Sequence, residues 1–246
     1  MRRREAARRA PVVPALPSRV GGDAGLRAYM LGVYGYMTLG LAVSGLVALS
    51  LASLARRAPG VAAALDDGAF KWPLALAPLA FVIVMALGAQ RLSKTALLAI
   101  FLAFAATTGL SLGVLGRLYE EDSIVKAMLI AAAAFGALSL YGYRSRRDLS
   151  GMAAFVLMGL VGVVLAGLAK LYFRSDVAQT VTSLIGVVVF AGLTAWDTQR
   201  LRDAYDENAL DPVWVAKSSI MGALSLYLNV LNIFLKILSL IGRRRA

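Results

Sequence analysis

The sequence predicts an all-α fold, a polytopic membrane protein built as a seven-transmembrane-helix bundle. Three observations point there. The 246 residues are 59% hydrophobic and 16% charged, with a mean hydropathy of +0.72, whereas soluble chains sit near half apolar and about a quarter charged. The apolar residues fall in seven long runs. The Lys and Arg residues fall between those runs in short connections, none of which has room for a soluble domain.

A bilayer core of about 30 Å needs roughly 20 apolar helical residues. The runs are about Tyr29–Leu54, Trp72–Gln90, Thr95–Leu115, Ser123–Tyr143, Leu149–Phe173, Val177–Trp196 and Ser218–Ile241. Each is continuously apolar, which favours helices over the alternating strands of an outer-membrane barrel. Small residues recur within them, at Gly35, Gly40 and Gly45 and as the pair Gly109 and Gly113. Such residues let helix backbones approach closely in lipid.

Residues 1–27 carry seven Arg and three Pro and no apolar stretch. They read as a disordered basic cytoplasmic tail ahead of a transmembrane domain over 28–246, not as a signal peptide, which needs an apolar segment and a cleavage site. The positive-inside rule sets the orientation. With the N-terminus inside, the inner regions hold fifteen Lys and Arg and the outer loops seven. Seven full spans then put Arg243, Arg244 and Arg245 outside, against the rule.

The formal charge of +12 would suggest nucleic acid in a soluble chain. Between membrane spans it points to anionic headgroups, with no nucleic-acid partner. The chain has no Cys and no His, so thiolate nucleophiles, iron–sulfur clusters and His-ligated metals are excluded. Neither a cofactor, a metal nor a catalytic residue is expected, and an enzyme is disfavoured.

Ionisable residues inside spans are costly and mark functional sites by default. Asp197 closes the sixth run, where a helix C-terminus and partial burial both disfavour negative charge. Arg200 and Arg202 are its expected charge partners. In the seventh run Ser218, Ser225, Asn229, Asn232, Lys236 and Ser239 fall at offsets 0, 7, 11, 14, 18 and 21. At about 100° per residue they share one face. A polar stripe cannot face lipid, so it lines a water-filled path or hydrogen-bonds to neighbouring helices. Ser225, Asn232 and Lys236 are thereby candidates for an ion pathway, and Lys236 is also placed to snorkel to the outer interface.

Several stretches resemble the Bax inhibitor family of membrane proteins. They are Tyr36-Met37, Gly40-Leu41 and Ser44-Gly45 in the first span, Thr108-Gly109-Leu110 in the third, and Ser139-Leu140-Tyr141-Gly142-Tyr143 at the end of the fourth, followed by Arg147-Asp148-Leu149-Ser150. Trp196-Asp197-Thr198-Gln199 in the sixth span, and Leu226-Tyr227-Leu228-Asn229 with Asn232-Ile233-Phe234 in the seventh, complete the set. Together they run in order from about residue 25 to the end. The resemblance implies six helices surrounding a central seventh, a pH-sensitive cation leak usually discussed for calcium, and a gate of two Asp residues. The sixth-helix member falls on Asp197. The seventh-helix member falls on Asn229, where the chain departs from the pattern.

Two neighbouring carboxylates share a proton because they cannot both ionise cheaply. An Asp with an Asn has no like-charge repulsion, and hard divalent cations prefer several carboxylate oxygens. The expected function is therefore an inner-membrane, Bax-inhibitor-like cation leak or stress-linked regulator of a bacterial cytoplasmic membrane, with its N-terminus cytoplasmic. The alternative is a non-conducting protein that acts on membrane proteases or other membrane machinery.

Overall fold

The computed structural model describes residues 22–58, 60, 61, 63, 71–145, 147–169 and 176–245. Seven principal helices follow one another: α1 (Gly22–Arg57), α2 (Lys71–Gly88), α3 (Lys94–Leu118), α4 (Glu121–Arg144), α5 (Ser150–Ala169), α6 (Asp176–Asn208) and α7 (Pro212–Ile241). All seven expected spans correspond to a helix, the end of the fifth, residues 170–173, lying outside the described residues. Among the described residues six helices are long and apolar enough to cross a membrane, and the described apolar part of α2 is shorter, Leu76–Gly88. Most of the expected basic tail lies outside the described residues, and α1 begins at Gly22.

Local chemistry fixes the helix starts. Ser93 caps α3, its hydroxyl accepting from Ala96 N–H. Asp211 caps α7, accepting from the N–H groups of Val213 and Trp214, with Pro212 in the first turn. Both are the side-chain acceptors that orphaned first-turn amides require.

Two apolar clusters form the interior. One joins α1, α3 and the first half of α7 through Val33, Phe101, Phe104, Leu226 and Tyr227, with Met85 of α2. The other joins α4, α5, α6 and the second half of α7 through Ala131, Val163, Val189, Phe190 and Ile233. Helix α7 packs against α1, α3, α4 and α6. Outward-facing leucines and valines such as Leu46, Leu49, Leu87, Leu165 and Val188 are more than half exposed. In water such a belt would be an aggregation surface; in a bilayer it is the lipid-facing side.

The glycines divide into those that matter and those that do not. A Cβ on Gly109 would sit 2.6 Å from the Ser44 carbonyl oxygen, and one on Gly113 3.1 Å from that of Ala48, so this pair sets how closely α3 approaches α1. A Cβ on Gly40 would meet the Phe101 ring at 2.6 Å. Gly35 and Gly45 have nothing within 4 Å and take no part in helix packing.

Candidate functional site

The polar stripe of α7 faces α6. Ser225 Oγ donates to Asp197 Oδ2 at 2.8 Å, and Asn229 Nδ2 donates to the same oxygen at 2.7 Å. Both Asp197 and Asn229 are buried. A carboxylate can only accept, so the Asn229 amide must present its NH2 group. Two turns further along α7, the stem of Lys236 lies on Gly186 of α6, its Cδ 2.9 Å from the position a Cβ would take. At the far end Ser239 Oγ accepts from Gln179 Nε2 and Ser183 Oγ, both at 3.1 Å.

The α6 side of this seam was missed in the sequence, although the signal is there. Gln179, Ser183, Gly186 and Asp197 fall at offsets 0, 4, 7 and 18, which again keeps them on one helix face. The 18 residues span about 27 Å at the helical rise, close to the ~30 Å of a hydrocarbon core. Two polar faces in antiparallel register thus meet along nearly a full membrane thickness.

Two members of the stripe bond to carbonyls of their own helix. Asn232 Nδ2 donates to the Leu228 carbonyl at 2.8 Å, and Ser218 Oγ to the Val215 carbonyl at 3.2 Å. Each satisfies itself on its own helix. Asn232 is half-buried, and Asn229 is the more enclosed of the two asparagines.

Two expectations about Asp197 are corrected. Asp197 does not end a helix: α6 continues to Asn208, because Thr198-Gln199-Arg200-Leu201 is polar yet contains no breaker. The macrodipole acts only within the last turn, so it does not bear on Asp197. Arg202 is not a charge partner either. Five residues on, it points about 140° away around the helix. Its guanidinium donates to the Tyr143 and Ser145 carbonyls, each at 2.9 Å, and pairs with Asp203 at 2.8 Å. Arg200 lies on the Asp197 side of the helix, but its guanidinium carbon sits 5.5 Å from the centroid of the Trp196 ring. Among the described residues neither arginine forms an ion pair with Asp197 within 4 Å, but the charge of Arg200 still acts on it, as expected.

Beside the seam, α6 is fastened to the end of α4 and the loop after it. Gln199 Oε1 accepts from Leu149 N–H at 2.8 Å, while its Nε2 donates to the Arg147 carbonyl at 2.8 Å. Thr198 Oγ1 and Ser139 Oγ lie 3.1 Å apart, and Ser139 Oγ lies 2.5 Å from Tyr34 Oη. A Cβ on Gly142 would collide with the Ala195 carbonyl. Outside the spans, Asp148 Oδ1 accepts from Ser150 N–H at 2.8 Å at the start of α5. Hydrogen bonds from the Ser150 hydroxyl and N–H hold the Asp148 carboxyl below the usual carboxylate range.

Residues 26–246 match the family described as Inhibitor of apoptosis-promoting Bax1. The chain belongs to the Bax inhibitor family. It is 39% identical over 233 residues to the inner membrane protein YbhL of Escherichia coli K12, covering 94% of this chain and 98% of YbhL. It is also 39% identical over 223 residues to a protein of Rickettsia prowazekii, covering 91% and 92% of the two chains. A Deinococcus radiodurans protein is 38% identical over 220 residues, covering 89% and 92%.

The structure gives the family stretches in this Bax inhibitor member a physical reading. Ser139 and Gly142 of α4 meet Thr198 and Ala195 of α6, one pair by hydrogen bonding and the other by close approach. Ser44 of α1 and Tyr227 of α7 join their hydroxyls at 2.7 Å, beside the Gly109 crossing.

Proposed function

We propose that this Bax inhibitor family member is an inner-membrane ion-leak protein whose pathway follows the α6–α7 seam, with α7 the central helix of the bundle and the Asp197–Asn229 contact its gate. The observation that carries this reading is the run of polar side chains from Gln179 and Ser239 to Asp197 and Asn229, about 27 Å long by helical rise. Polar groups at membrane depth are expensive unless they pair or meet water. The pairs in the seam are few and separate, so water or a cation can replace them one at a time. Ser225 and Asp197 lie at one end of the path and Lys236 toward the other. Asn232 reaches the path only by leaving the Leu228 carbonyl.

The native leak is weak and nearly independent of pH. Asp197 provides one carboxylate where a hard divalent ion wants several, and Asn229 removes the second acid that a shared proton needs. The test is calcium-dye flux into vesicles containing the purified chain, against empty vesicles. A slow flux that hardly varies with pH is expected; a strong pH-gated flux would assign the gate to other residues. No flux under any condition would favour a non-conducting regulator of membrane proteases or other machinery. The observation on that side is that Asp197 is already satisfied by two neutral donors.

In the proposed orientation the N-terminus is cytoplasmic and the basic loops meet anionic headgroups. Because the chain has no Cys, single Cys residues at Ser18 and Ala63 can be labelled selectively. A membrane-impermeant reagent added outside is expected to reach position 63 and miss position 18; the opposite pattern reverses the orientation.

A further inference from the structure

A groove of about 520 Å³ runs between α1 and α4, away from the α6–α7 seam. Its floor is formed by the buried Met30, Phe135 and Ser139 and by the half-buried Tyr34, which is hydrogen-bonded to Ser139. Its rims, Leu31 and Leu140, are 62% and 51% exposed and belong to the lipid-facing belt, so the groove opens sideways into the bilayer. Gly136 lines it without narrowing it, since a Cβ there would have nothing within 4 Å.

The groove is polarised along its length. Because α1 and α4 are antiparallel and Tyr34 meets Ser139, Arg27 and Tyr143 lie at the same end, both lining the groove. Arg27 is exposed there, about 10 Å from Tyr34 by helical rise. An apolar trough with one cation at its mouth matches an amphiphile with a fatty chain and an anionic head. The volume lies within the range of small-molecule sites. The two hydroxyls of the floor are turned to each other and on to Thr198, leaving hydrocarbon the surface a chain would touch.

We propose that this groove is a binding site for one anionic phospholipid, its acyl chain lying between α1 and α4 and its phosphate held by Arg27. A basic side chain near the surface attracts anionic lipid, while the trough supplies the shape that distinguishes a site from general headgroup attraction. Ser139 of the floor is hydrogen-bonded in turn to Thr198, next to Asp197, so the groove backs onto the α4–α6 contact beside the seam. The assignment of the site does not depend on ion flux.

The full chain is reconstituted in mixed phosphatidylcholine and phosphatidylglycerol, extracted into detergent, and its retained lipid measured by native mass spectrometry. One phosphatidylglycerol per chain is expected. Arg27→Gln should reduce the preference for phosphatidylglycerol over phosphatidylcholine about fivefold. Gly136→Leu, which has room for its side chain, should fill the trough and remove the bound lipid of either kind. Excess inorganic phosphate should leave the lipid in place, because the chain contributes to binding. Retention unchanged by Gly136→Leu, an unaltered preference in Arg27→Gln, or displacement by phosphate would each overturn the proposal.

Discussion

Helix α7 is held in two different ways on its two sides. Toward α1 and α3 the contact is steric: aromatic rings of Phe101, Phe104 and Tyr227 cluster edge to face, next to a crossing where Gly109 admits the Ser44 backbone. Its cross-helix polar link is the Tyr227–Ser44 pair, with Ser44 also donating to the Ala105 carbonyl at 2.7 Å. Toward α6 the apolar packing of Val189 and Phe190 with Ile233 is interrupted by a series of separated hydrogen-bonded clusters. Lipid tails are as apolar as leucine, so helices in a membrane adhere by close packing and polar bonds. Close packing cannot open without losing many contacts together. A hydrogen bond can be exchanged for one to water or an ion at little net cost. One side of α7 is therefore suited to hold the bundle and the other to work.

The largest effect should come from breaking the steric side. Gly109→Leu pushes a side chain into the Ser44 backbone, an obstacle that no rotamer relieves, and forces α1 and α3 apart. A loss of about 3 kcal/mol is expected, at the upper end for overpacking, read as thermal unfolding in detergent. Gly45→Leu, a position open to 4 Å, should unfold like the native chain. Equal melting of the two variants would refute the division between the sides.

On the working side the expected change is in flux, not stability. Asn229→Asp is nearly isosteric and places a second carboxyl on Asp197. The pair holds one proton at low pH and releases it as pH rises, giving two charges at the seam. Calcium flux into vesicles should then become pH-dependent and increase about tenfold at high pH, since ligand charge tunes affinity over decades. Adding Asp197→Asn should abolish the gain. A melting temperature that fell as far as in Gly109→Leu would mean that this contact holds the bundle too.

A smaller effect is expected at Tyr227→Phe. Ser44 keeps its one hydroxyl hydrogen shared between the Gly40 and Ala105 carbonyls, so no buried donor is orphaned and the cost should be about 1 kcal/mol. The same unfolding assay measures it, and flux should not change.

Much of this contrast was legible in the sequence, because periodicity and residue size carry it. The offsets from Ser218 to Ser239 put the stripe on one face, and Gly109 and Gly113 marked a close crossing. What escaped was set by partners. Hydropathy falls at Asp197 while the helix runs on to Asn208, since a span ends where polarity begins but a helix ends only at a breaker or cap. Arg202 was read by proximity in sequence, whereas its direction on the helix sends it to the α4 carbonyls. Gly35, Gly40 and Gly45 look alike as letters, and the neighbour opposite each alone tells them apart. Gln179 and Ser183 were hidden because a few polar residues in an apolar run count for little until a matching face is opposite them.

The smallest effect should be at Asp148, which separates the seam from the other family carboxylate nearby. Asp148 lies outside the spans, exposed, with its carboxyl held below the usual range by Ser150. A group whose folded value is depressed contributes stability above its unfolded value and loses it as pH falls through the folded one. Its contribution is thus complete at neutral pH and disappears only in strong acid, so it does not change charge where the Asn229→Asp pair is expected to gate. Asp148→Asn should loosen the first turn of α5, seen as faster amide exchange at Ser150. In the Asn229→Asp background it should leave the pH midpoint of calcium flux where it was. A moved midpoint would place the proton sensor in the loop that Gln199 fastens to α6, and would make the fastening, not the seam, the part of α6 that works.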